Sequence, residues 1–215
     1  MTDRVLRVLV ETTPRKVFVS ALDWPGLARG ARDETAAVDT LLAYVQRYAP
    51  VARSAGVLLP GVDLGVEVVD RVEGDSGTAY GVPSRVAAVD REPVDADEAE
   101  RLAALVGAAW ELFDRVSAGA PEELRKGPRG GGRDTSKIIE HVTGADEAYA
   151  AALGIPPAER RPPDRLRTTE LALLRRPSDG SPIAGRKWPP RYAARRIAWH
   201  ALDHAWEIED RSDPG

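Results

Sequence analysis

The 215-residue chain has no cysteine. Disulfides, iron–sulfur clusters, thiolate zinc sites and cysteine nucleophiles are therefore excluded, and any thiol chemistry needs a thiol from outside the protein. A run of about 18 apolar residues is also missing, as is an N-terminal basic-then-apolar signal pattern, so the expectation is a cytoplasmic protein that neither enters nor crosses a membrane. Neither sign of charge dominates. Thirty basic residues against 34 acidic ones leave a formal charge of −4, which argues against nucleic acid as a partner because no net counterion-releasing surface exists. Histidine is scarce, with three in the chain. What remains is an ordinary globular composition, 43% hydrophobic and 30% charged, long enough for two small domains.

The expected fold class is α+β: a small α/β module over residues 1–85, then an up-down four-helix bundle over 86–215. Val5 to Val10 and Lys16 to Leu22 are β-branched and apolar around Thr12-Thr13-Pro14-Arg15, which is a hairpin signal. Asp33 is placed to cap a helix running to Tyr48, where Ala36, Leu41, Tyr44, Val45 and Tyr48 recur at helical spacing. Gly65 to Val72 alternates like a strand, and GDSGTAYGVPS beyond it is rich in turn formers. From Pro93 the pattern turns helical. One helix runs from Asp95 or Asp97 to about Ala118, and a second from Asp134 to Leu153. A third covers Pro163 to Arg176, and a fourth follows Pro189-Pro190 to about Arg211, all joined by Gly/Pro-rich loops.

Two of the three histidines lie in RIAWHALDHAWEIEDR, residues 196–211. Stepping about 100° per residue from Ile197 places Ile208 at about 20°, His204 at about 340° and His200 at about 300°, so both imidazoles border the apolar stripe. Trp199 and Trp206 fall at about 200° and about 180° and are expected to pack against a neighbouring segment such as the N-terminal module. His141 lies on the edge of the stripe Ile138, Val142, Tyr149, Leu153, beside the small Ala145 and Ala152. Asp146 falls on the opposite edge and, if buried, needs its own partner, an arginine from another helix. Imidazoles at i and i+4 reach one cation, and a third from a facing helix completes a set that leaves a position for water or substrate. The competing reading is three buried histidines satisfied by nearby carboxylates or a tyrosine.

On these residues, IIEHVTGADEAYAAALG and AWHALDHAWEIEDR, the region from about 95 to 211 resembles the DinB-like superfamily of metal-binding four-helix bundles, which includes thiol-dependent maleylpyruvate isomerase relatives. The resemblance implies His141, His200 and His204 as ligands of one divalent metal, zinc first, with nickel, iron or manganese behind it. It also implies an external thiol such as mycothiol and a small-molecule substrate. VFVSALDWPGLARGARDETAAVDTLLAYV resembles the HicB-like α/β fold, which here lacks the DNA-binding segment of HicB antitoxins and is read as an interaction module for a protein partner or a homodimer.

Two residues are candidate catalytic groups. Glu207, at about 280°, is in line with His200 and one turn beyond His204, as a base or as a carboxylate orienting an imidazole. Arg196, one turn before His200, is expected to hold a substrate carboxylate, with Tyr192 near it. GPRGGGRDTSK reads as a hinge or as an anion site at a helix N-terminus. Thr135 and Ser136 lack a histidine–acid constellation. The rival to a metal-dependent enzyme is a non-catalytic bundle with structural histidines or a vestigial metal, whose N-terminal module contacts a partner. An opening near Arg196 and Tyr192 marks the first, and closure by Trp and Leu marks the second.

Overall fold

The β-branched runs at the start of the chain form β1 (Val5–Thr12) and β2 (Val17–Ala21), an antiparallel hairpin. In its turn the Thr13 hydroxyl donates to the carbonyl of Lys16 and accepts from that residue's N–H. The computed structural model describes residues 5–59, 61, 64–127 and 131–212. A third strand, β3 (Ala28–Ala31), pairs antiparallel with β2. The sequence does not signal it, because Ala-Arg-Gly-Ala has no β-branched residue, and its conformation comes from the ladder offered by β2. Helix α1 (Glu34–Ser54) starts where Asp33 accepts from the Ala36 N–H at 2.8 Å, and it runs six residues past Tyr48. It continues through Pro50 at the loss of one backbone hydrogen bond, because the next turn buries Val51 and Ala52.

Strand β4 (Gly65–Glu73) then pairs parallel with β1, giving the order β3-β2-β1-β4. Leu6, Val8 and Val10 pack in one core with Leu41, Val45 and Tyr48 of α1. Leu9 on the other face joins Leu22, Ala87 and Val89, and Phe18 meets Trp199 edge-on at 6.4 Å. With both faces covered, β2 is buried along its whole length. The turn-rich stretch after β4 holds a short helix, α2 (Ser76–Tyr80), fixed by a capping box between Asp75 and Thr78.

The helical half comprises α3 (Ala96–Gly119), α4 (Thr135–Ala152), α5 (Pro163–Leu174) and α6 (Pro190–Ser212). The fold is thus α+β. Helices α3 and α4 each pack against both α5 and α6, and α3 also packs against α1, so sheet and helices share one core. Helix α6 joins the halves. Its Trp206 meets Tyr44 of α1 edge-on at 5.1 Å, and the Arg29 guanidinium lies 3.8 Å from the Tyr44 ring and 4.3 Å from Trp206 while binding Asp203 at 2.7 Å. Gly26 closes the turn before β3 directly onto α6. Its φ is +94°, and a Cβ there would lie 2.6 Å from Leu202 Cδ1 and 3.1 Å from Ala198, so this position in Trp-Pro-Gly requires glycine.

Asp146 is buried and finds its arginine on another helix: Arg167 of α5 donates to it at 3.3 Å while binding Asp114 at 2.8 Å. Glu170, also on α5, is fully buried, and among the described residues neither carboxylate oxygen has a partner. Burial, with Asp146 nearby, pushes its carboxyl up to about 9; burial raises Asp146 to about 6 against the pull of Arg167. The folded protein therefore keeps a proton on Glu170 that the unfolded chain releases near 4.5. Stability is expected to fall as pH rises from about 4.5 to 9, by up to about 1.4 kcal/mol per pH unit, and Glu170→Gln should flatten the slope. Urea denaturation between pH 5 and 9 measures it; an unchanged slope in the variant would contradict a neutral Glu170.

Candidate metal centre

Helices α4 and α6 bring the three histidines together. His200 and His204, one turn apart on α6, have ring centroids 4.7 Å apart, and His141 on α4 lies 5.0 and 4.9 Å from them. One nitrogen from each ring falls within 4.8 Å of the others, and the Nε2 atoms of His141 and His200 are 3.2 Å apart. Two lone pairs cannot face each other at that distance without a shared proton or cation between them. Tetrahedral zinc with bonds of 2.0–2.1 Å spaces its nitrogen ligands by about 3.3 Å, so this edge already has the required length. His200 and His204 are buried, and His141 is half-buried.

Glu207 accepts from Nδ1 of His204 at 2.8 Å and is itself held by Arg211, whose Nη1 donates at 2.6 Å. The His204 bond, with Arg211, keeps the Glu207 carboxyl below its ordinary range. An ionised carboxylate only accepts, so the Nδ1 of His204 carries the hydrogen, and Nε2 is the nitrogen left for the cluster. Arg211 in turn donates to the carbonyl of Arg125, and Gly132 packs against its guanidinium with φ +126°, where a Cβ would stand 2.6 Å from Nη2. The loop before α4 thus wraps the end of α6. Arg211 is legible in the sequence as the i+4 partner of Glu207. His200 has no such support: its Nδ1 is buried without a partner.

Burial is the main cause that lowers His141 and pushes His200 down to about 2, with neighbouring His204 adding to both. Arg133 lowers both further, and Arg196 lowers His200. His141 and His200 are therefore neutral and able to donate lone pairs at neutral pH.

The surroundings are asymmetric. On one side His200 is covered by Tyr149, whose ring is 5.7 Å away, and Tyr149 packs on Trp188 at 5.2 Å. Arg196 is locked into this side, 5.1 Å over Tyr149 and 4.8 Å over Trp199. Tyr192 points elsewhere and donates to the Ser84 carbonyl at 3.1 Å. On the other side His141 borders an open cleft of about 450 Å³ lined by Gly132, Arg133, Asp134, Lys137 and Glu140. Part of the glycine-rich stretch therefore adjoins the histidines; residues 128–130 lie outside the described residues. Asp134 stands at the N-cap position of α4, but its carboxylate turns to Lys126 and the Leu124 N–H instead of capping. Thr135 donates to the Pro121 carbonyl and Ser136 to Glu122, both tying down the loop. Arg133 falls in the glycine-rich stretch read as a hinge or an anion site, but only the tertiary path of this loop carries it to His141. The chain matches no family model, and neither the curated proteins nor the solved structures give a match.

Proposed function

We propose that the protein binds one divalent metal through His141, His200 and His204 and is a metal-dependent enzyme acting on a small electrophilic molecule. Convergence of three imidazoles from two helices carries this reading. All-histidine donors suit zinc first, then nickel, iron or manganese. Held by neutral ligands, such a cation retains its full charge and lowers the pKa of water or an external thiol, mycothiol being one candidate. The chain, lacking cysteine, supplies no thiol itself. The residues do the rest. Glu207 fixes the His204 ring and its tautomer, Tyr149 and Trp188 exclude water from the His200 side, and the cleft at His141 admits substrate past Arg133, which suits an anionic group there. The same proposal takes the four C-terminal helices as a DinB-like up-down bundle and residues 1–85 as a HicB-like module.

Metal analysis of protein purified without chelator is the test; about one equivalent per chain is expected, and negligible metal ends the reading. Cobalt(II)-substituted protein given a thiol should develop a sulfur-to-cobalt charge-transfer band, whose absence would leave water as the nucleophile. Glu207→Gln removes the carboxylate that orients His204 and is expected to weaken metal affinity about 10–100-fold. Competition with a chromophoric chelator measures it.

One observation favours a structural metal site instead: aromatic closure on the Arg196 side. The opening at His141 outweighs it, because a substrate needs only one approach.

A further inference from the structure

We propose that a small cavity between β2 and α6, separate from the histidine cluster, binds a monatomic anion of halide size. The cavity is about 10 Å³, room for one occupant the size of a water or a halide. Ser20 of β2 and Arg196 and Trp199 of α6 line it, and each has a buried polar atom without a partner: Ser20 Oγ, Arg196 Nη1 and Trp199 Nε1. Three orphaned polar atoms around one void are costly unless something accepts from them.

The chemistry of those atoms selects the occupant. The indole and guanidinium nitrogens only donate, and the serine hydroxyl can rotate to donate as well. The other polar side chains of the lining are already engaged: Arg195 binds Asp90 and Tyr192 donates to Ser84. Among the described residues no carboxylate lines the cavity. A water molecule there would need acceptors for two hydrogens, and among the lining side chains only the Ser20 and Tyr192 hydroxyls could accept. A halide needs none, and it neutralises a guanidinium that is stacked on Tyr149 and Trp199 with no carboxylate beside it in the cavity. An organic carboxylate is too large for the space. Arg196 thus serves an inorganic anion that ties the sheet to the helix carrying His200 and His204.

Crystals grown in sodium bromide should show an anomalous peak at the bromine edge between Ser20 and Trp199. In solution, bromide or chloride at ten times the dissociation constant is expected to raise the melting temperature by about 3–5 °C over sodium methanesulfonate of equal ionic strength. Trp199→Phe should remove most of that difference. Because Trp199 is buried and packs on Phe18, Ser20→Ala supplies a milder variant with the same expected loss. No anomalous peak at molar bromide together with equal melting temperatures in all three salts would overturn the proposal, as would a full halide response in Ser20→Ala.

Discussion

Replacing either histidine of the α6 pair, His200→Ala or His204→Ala, is expected to abolish stoichiometric metal binding. Each change leaves two imidazoles. His141 with one α6 histidine fills only half of a tetrahedral shell, and among the described residues no other histidine, aspartate or glutamate joins the cluster. Loss of a direct ligand should exceed the roughly 10–100-fold penalty for losing an orienting partner such as Glu207. Because the metal binds the folded state, stability follows affinity. Chelator should lower the melting temperature of the wild type and leave both variants unmoved. Metal analysis after gel filtration reads the effect directly, and retention of one equivalent by both variants would show that the histidines are structural.

The second large effect concerns the joint between the halves. Asp90, 1% exposed, receives Nη2 of Arg195 at 2.6 Å and Nε at 3.2 Å, while its carboxylate also accepts from the Ala87 N–H at 2.7 Å. Arg195 lies on α6 at 6% exposure. Asp90→Ala strands a guanidinium with no water to take the place of the carboxylate, and this should cost about 3–5 kcal/mol. For a chain of this size the melting temperature would drop by on the order of 10 °C. The double change Asp90→Leu with Arg195→Met removes both charges and should recover much of the loss, though the Ala87 N–H stays unpaired. Denaturant unfolding of the single and double variants separates a stranded charge from simple loss of packing; equal destabilisation of both would rule out the stranded charge.

Much of this was legible from periodicity. A step of about 100° per residue fixes which face of α6 carries His200 and His204, and it sends Trp199 and Trp206 to the opposite side, where they meet Phe18 and Tyr44. The same stepping puts Asp146 on the far edge of α4 from His141, whereas packing decides that its arginine comes from α5. Positions on a helix face depend on residues within a few positions of one another, so the local order of the chain determines them.

Other features depend on segments far apart in sequence, and only their packing decides them. Strand β3 exists because β2 offers it a ladder, since its own residues carry no strand preference. Arg196 lies where helical stepping places it, yet Tyr149 and Trp199 hold it beside the sheet and away from the open cleft. Arg133 reaches the cleft at His141 because the loop before α4 bends around Arg211, and Gly132 leaves room for that contact. By itself the sequence determined which side chains share a helix face. The tertiary structure decided which faces meet, where the histidine site opens and which charges it encounters, because burial of apolar faces over one shared core sets those outcomes and no single element does.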